Sequence, residues 1–147
     1  MSATAVAEAF ERAPFLADRL VVDAPFPSTE AAIARARELI AGMTDVQRVA
    51  VLNAHPRIGA PRDVLSVRSA TEQGADVDQA TARELAQVND AYERRFGFRC
   101  VVFVAGRRRG EVLAEMRERL RRDRERELQT GIDEFLAIAR DRLEQPR

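Results

Sequence analysis

A chain of 147 residues has the length of one domain and can bury a core without disulfides or metal. With 46% hydrophobic and 33% charged residues, it does not have the composition of a disordered polymer. Its 24 basic side chains balance 24 acidic ones, which argues against binding nucleic acid through bulk charge; its single cysteine excludes an internal disulfide and any multi-cysteine metal site.

No apolar run is long enough to span a bilayer. The opening MSATAVAEAFERAPF has neither a basic leader nor an apolar h-region, and the closing RLEQPR carries no retention or peroxisomal signal. The expectation is one cytoplasmic domain over residues 1–147, without membrane or nucleic-acid partners.

The pattern along the chain is helical. A short segment from Ala3 to Phe10 is ended or redirected by Pro14, and Phe15 to Val22 runs into the loop APFPS. Ser28 reads as the N-cap of a helix reaching about Ala41, with Gly42 at its C-terminus and Ile33, Ala36, Leu39 and Ile40 on its apolar face. Thr44 and Gln47 fit a capping box. The helix they open is expected to bury Val46, Val49, Ala50 and either Asn53 or Ala54. It must stop near His55, because a residue before proline is pushed out of the helical region.

Residues 56–78 read as a long irregular connection, of the kind that is usually functional. Thr81 to Glu84 suggests a second capping box and a helix to about Arg95, with Leu85, Val88, Ala91 and Tyr92 on its face and Phe96-Gly97 closing it. CVVFVAG is the one β-like stretch. With no partner strand, it is read as a buried extended segment. A basic turn, Arg107 to Gly110, precedes a helical region from Glu111 to Glu144 with a break across Arg121 to Glu127. Val112, Leu113, Met116 and Leu120 lie on one side of that break; Leu128, Ile132, Phe135, Leu136, Ala139 and Leu143 lie on the other. The fold class expected is all-α: a compact bundle of about six to eight helices.

Three stretches can carry chemistry. His55 is the only histidine: either it caps a helix C-terminus, or it serves as a general acid or base, since imidazole titrates near neutral pH. Ser69 to Gln73 forms a capping box of its own, and a helical first turn there would present N–H groups to an anionic ligand. The segment Cys100 to Val104 packs in the core, yet an extended backbone outside a sheet has N–H and C=O groups that could clamp a flat ring. The arginine-rich run at residues 119–126 is interleaved with acids, such as Glu118 four residues before Arg122, and reads as a solvated helix face.

Taken in order, AHPRIG (54–59), SATEQ (69–73), VNDAYERRFGFR (88–99), VVFVAGR (101–107), REREL and IARDRL resemble the 2-oxo-4-hydroxy-4-carboxy-5-ureidoimidazoline (OHCU) decarboxylase family of urate degradation. FERAPFLADRL followed by APFPS is similar to that family's opening, so the resemblance covers nearly the whole chain. It implies an all-helical, often dimeric carboxy-lyase that converts its substrate to S-allantoin without metal or organic cofactor. It implies His55 as the catalytic histidine with Glu72 as its acidic partner. It also implies substrate contacts from Pro56, Ser69, Gln73, Cys100, Val101, Val102, Phe103 and Val104, partly through backbone. Two features depart from the family: FGFRC stands where FGFPF is common, placing Arg99 and Cys100 for a proline and a phenylalanine, and the loop after SATEQ is short and lacks a Gly-Leu pair. These departures motivate the alternative of a non-catalytic binding or interaction module of the same fold.

Overall fold

The computed structural model describes residues 1–11, 13–59 and 79–145. Among them are seven α-helices and no strand: α1 (Ala3–Ala9), α2 (Pro14–Asp23), α3 (Thr29–Ala41), α4 (Asp45–Asn53), α5 (Gln79–Phe96), α6 (Arg109–Arg119) and α7 (Arg124–Glu144). Helix α7 is the spine. It packs against α1, α3 and α4, while α2 joins α1 to α3 and α5 lies on α6.

Local sequence explains most of these boundaries. Pro14 opens α2 as its first residue, where the missing N–H costs nothing. Ser28 caps α3 by accepting the Ala31 N–H, and Gly42 follows the last turn. At α4 both halves of the capping box form: Thr44 Oγ1 accepts the Gln47 N–H at 3.2 Å, and Gln47 Oε1 accepts the Thr44 N–H at 2.9 Å. The break between α6 and α7 falls where expected, and Asp123 supplies it by capping α7 through the Arg126 N–H. All six apolar positions expected on the face of α7 are buried.

Two local expectations are corrected. Helix α4 buries Val51 and Leu52, whereas Val46 is 78% exposed and Ala50 and Asn53 face outward. The helix is only nine residues long and meets the core through its C-terminal end, so its buried face is set by contact with α7. Gly131 makes that contact close: a Cβ there would stand 2.9 Å from Leu52 Cδ1. Thr81 is not an N-cap, because α5 is already helical at Gln79. The face of α5 is otherwise as read, with Asn89 and Phe96 added and Ala91 only partly covered.

The largest correction concerns the arginine-rich run. Arg119 is 1% exposed and Glu127 is fully buried. The Arg119 guanidinium donates to Glu127 Oε1 and to the Val101 carbonyl, both at 2.7 Å, and lies 3.4 Å from Tyr92 Oη. Tyr92 itself donates to Glu127 Oε1 at 2.6 Å. Glu118 pairs with Arg121, at 3.8 Å, and Arg122 reaches Glu127 Oε2 at 3.6 Å. Alternation of charge along a sequence looks the same whether a pair faces water or the core; here the break before α7 folds one pair inward.

Truncating one partner of a buried ion pair strands the other charge, at about 3–5 kcal/mol. Arg119→Met is expected to lose stability on that scale in urea unfolding, and Arg119→Met with Glu127→Leu to recover much of it. A single-variant loss below about 1 kcal/mol, the size of an exposed pair, would contradict this account.

Candidate active site

His55 follows the C-cap of α4 and donates its N–H to the Leu52 carbonyl at 3.1 Å, so the chain leaves the helix at the residue that proline demands. The side chain is buried, 8% exposed. Its Nδ1 lies 3.1 Å from the Pro56 carbonyl. A carbonyl oxygen can only accept, so in this contact Nδ1 is the protonated nitrogen.

The turn after His55 is fastened to α5. Arg57 bonds Glu93 Oε2 at 2.6 Å and Asp90 Oδ1 at 2.7 Å, and both carboxylates raise its pKa. Asn89 Nδ2, buried in the apolar stripe of α5, donates to the Ile58 carbonyl at 2.9 Å. Gly59 has φ of 83°, and a Cβ there would come within 3.1 Å of Leu85 Cδ1, so glycine serves both the turn and the close approach. Pro56 and Ile58 are buried beside these contacts.

Residues 99–104 join α5 to α6 outside any helix or strand, with Cys100, Val101, Val102 and Val104 buried and Phe103 partly so. The segment starts beside His55: the Arg99 N–H bonds Asn53 Oδ1, and Arg99 Nη1 bonds the carbonyls of both Asn53 and His55, all at 2.9 Å. Its backbone is less open than an unpaired strand would suggest. Arg119 takes the Val101 carbonyl, and Arg107, paired with Glu115, takes those of Phe103 and Val104. The Phe103 N–H reaches Glu134 Oε1 at 3.4 Å. These side chains do the work of a neighbouring strand, and they fix the segment's position. Cys100 is 1% exposed, and burial pushes its thiol up to about 12, so it is a core side chain without thiolate chemistry near neutral pH.

The structure therefore ties the His55 backbone to Arg99, the residue before the segment Cys100 to Val104. Ser69, Glu72 and Gln73, with the capping box read there, lie outside the described residues. Among the described residues, no group of three or more His, Cys, Asp or Glu side chains could hold a metal ion. Sequence reading missed Arg57, Asn89, Arg107 and Arg119 as holders of the site. Asn89 alone left a signal, an amide within the apolar stripe of Leu85, Val88 and Tyr92.

Fold and site together define an all-α domain with one buried histidine at the exit of α4, its backbone tied to Arg99 at the head of a buried non-helical segment. The chain belongs to the OHCU decarboxylase family, whose sequence pattern matches residues 2–144. It is 25% identical over 142 residues to the 2-oxo-4-hydroxy-4-carboxy-5-ureidoimidazoline decarboxylase of Haloferax volcanii, covering 95% of this chain and 84% of that one. The decarboxylase of the same name from Halalkalicoccus jeotgali is 26% identical over 144 residues, 96% of this chain and 82% of its own. In fold, the chain matches a crystal structure of OHCU decarboxylase in the presence of (S)-allantoin, with a TM-score of 0.72, 24% identity and 89% of each chain covered.

Glu134 offers a check on the wall behind the segment. Burial pushes its carboxyl up, Glu115 adds to the rise, and the Phe103 N–H, Arg119 and Arg107 oppose it. The folded carboxyl thus holds its proton more tightly than the unfolded one, and ionisation costs stability as pH rises through the folded pKa. Glu134→Gln, which keeps an acceptor for Phe103, is expected to unfold at higher urea than the native chain at pH 7. The gap should close as the pH falls below the ordinary glutamate value. A native chain that is the more stable at pH 7 would contradict the burial argument.

Proposed function

We infer that this chain decarboxylates 2-oxo-4-hydroxy-4-carboxy-5-ureidoimidazoline to S-allantoin in urate degradation. Family membership across residues 2–144 is the observation that carries the activity. The residue roles below are our proposal, supported by the geometry at His55 and by the order of motifs.

In the substrate, ring carbon 4 bears both the hydroxyl and the carboxylate, and ring carbon 5 bears the ureido group and the ring C=N bond. Breaking the bond to the carboxylate releases CO2 and leaves an electron pair on carbon 4, which the neighbouring C=N accepts. The ring nitrogen takes a proton. The hydroxyl oxygen then gives up its proton and becomes the carbonyl, and carbon 5 takes a proton. The substrate contains its own electron sink, so the protein's task is to position groups and move protons.

His55 is assigned that proton transfer. With Nδ1 turned to the Pro56 carbonyl, Nε2 is the atom that accepts the hydroxyl proton. Glu72 is assigned as the acidic partner that bonds the substrate hydroxyl whose proton His55 takes, and Ser69 and Gln73 to hold ring and ureido groups. Pro56 shapes the floor of the site. The segment Cys100 to Val104 contributes contact and those backbone groups that Arg107, Arg119 and Glu134 do not engage. The S configuration requires that carbon 5 be protonated on one face only, which a fixed imidazole and a fixed wall can enforce. A cytoplasmic homodimer of single-domain subunits completes the reading and rests on the resemblance.

The activity is tested by circular dichroism, with substrate generated freshly from urate by urate oxidase and hydroxyisourate hydrolase. Addition of this protein is expected to give rapid, optically active S-allantoin. Slow, racemic product, or ring binding without turnover, would favour the non-catalytic module instead. His55→Asn should retain the helical spectrum and lose about 10²- to 10⁴-fold in rate, the usual worth of a general acid or base. Near-native turnover in that variant would end the assignment of His55.

A further inference from the structure

We propose that Arg99 is a positioning residue that sets the orientation of the His55 imidazole. The proposal rests on the reading of His55 as the proton-transfer group. Arg99 is one of the two residues by which this chain departs from FGFPF, and its side chain does not point away from the site. Its Nη1 bridges the carbonyls of Asn53 and His55, both at 2.9 Å, while its backbone N–H bonds Asn53 Oδ1 at 2.9 Å. A guanidinium is suited to the place. The last carbonyls of α4 lack helical partners, and the negative end of the helix attracts a cation.

The grip on His55 has a specific consequence. The peptide joining His55 to Pro56 has no N–H, so its carbonyl is the only strong polar handle by which it can be held. Arg99 holds that carbonyl. The next carbonyl, that of Pro56, is the one that meets Nδ1. Fixing the first peptide plane fixes where the second can lie, and with it the ring. Arg57 and Asn89 fasten the turn further along, at Arg57 and Ile58; they do not touch this peptide.

An open cavity of about 310 Å³ is lined by Asn53, Glu93, Gly97, Phe98 and Arg99. A small cation could reach the vacated position through it, so the proposal can be tested by chemical rescue. In the full chain, Arg99→Ala is expected to lower kcat about tenfold or more while KM moves less than about twofold, as for a reacting group that has lost its aim. Millimolar guanidinium should restore part of kcat, and urea at equal concentration should not. The chain has one histidine, so its 1H–13Cε1 NMR signal reports the ring alone. That signal should move in Arg99→Ala and return with guanidinium or in Arg99→Lys.

Unchanged kcat overturns the proposal. So does an unmoved imidazole signal, even if activity falls, because the loss would then come from general weakening of the fold. If His55→Asn proves active, the reading of His55 fails by itself, while the imidazole signal still decides whether Arg99 holds the ring.

Discussion

The buried pair of Arg119 and Glu127 is the constraint from which the rest of the site follows. Two charges taken out of water are costly, and a close contact between them is rarely enough to offset that cost. Here further hydrogen bonds come from elsewhere in the fold, while Glu127 Oε2 makes none among the described residues and has Arg122 at 3.6 Å. The guanidinium bonds the Val101 carbonyl as well as the carboxylate, and Tyr92 gives its hydroxyl to the same glutamate. One cluster thereby joins α5, α6, α7 and the segment Cys100 to Val104 at a single point. Around it, the rings of Tyr92, Phe96 and Phe98 pack with centroids 4.6 to 5.9 Å apart, Phe96 on Phe98 stacked and Tyr92 tilted or edge-on to both, and Arg124 lies over Phe98. The segment between α5 and α6 cannot shift without breaking a charge-assisted hydrogen bond inside the core.

That anchoring gives His55 a fixed neighbour. That segment begins at Arg99, which clasps the end of α4, and the turn beyond His55 is tied to α5 by Arg57 and Asn89. The imidazole meets the Pro56 carbonyl through Nδ1, on backbone fastened from both sides. A reaction whose substrate supplies its own electron sink asks little more of a protein than such placement.

Much of this frame was legible in the sequence, for reasons that are local. Ser28 and Thr44 with Gln47 mark helix starts by chemistry that acts within one turn, and both boundaries stand where they were read; Pro14, read only as the end of the first segment, opens the next helix. The stop at His55 follows from proline alone. What escaped was tertiary. Nothing local distinguishes Arg119 from its neighbours in RERLRRDRER, because its partners are Tyr92, Val101 and Glu127. The buried face of α4 depends on Gly131, far away in the chain, and Val46 looks as apolar as Val51 until α7 is in place. Arg99 registered only as a departure from a familiar motif, since its bond to His55 spans 44 residues. The roles of Glu72, Ser69 and Gln73 came from resemblance and not from physics.

The proposed chemistry turns on a fold that presents His55 with its proton on Nδ1 and its lone pair on Nε2. Two-bond 1H–15N NMR of the single imidazole, recorded well above its titration, reads the tautomer directly. A protonated-type shift is expected at Nδ1 and an unprotonated-type shift at Nε2, the reverse of the form that free histidine favours. A spectrum dominated by the Nε2–H tautomer would contradict it, because the Pro56 carbonyl would then have no proton to accept and the site would lack its base.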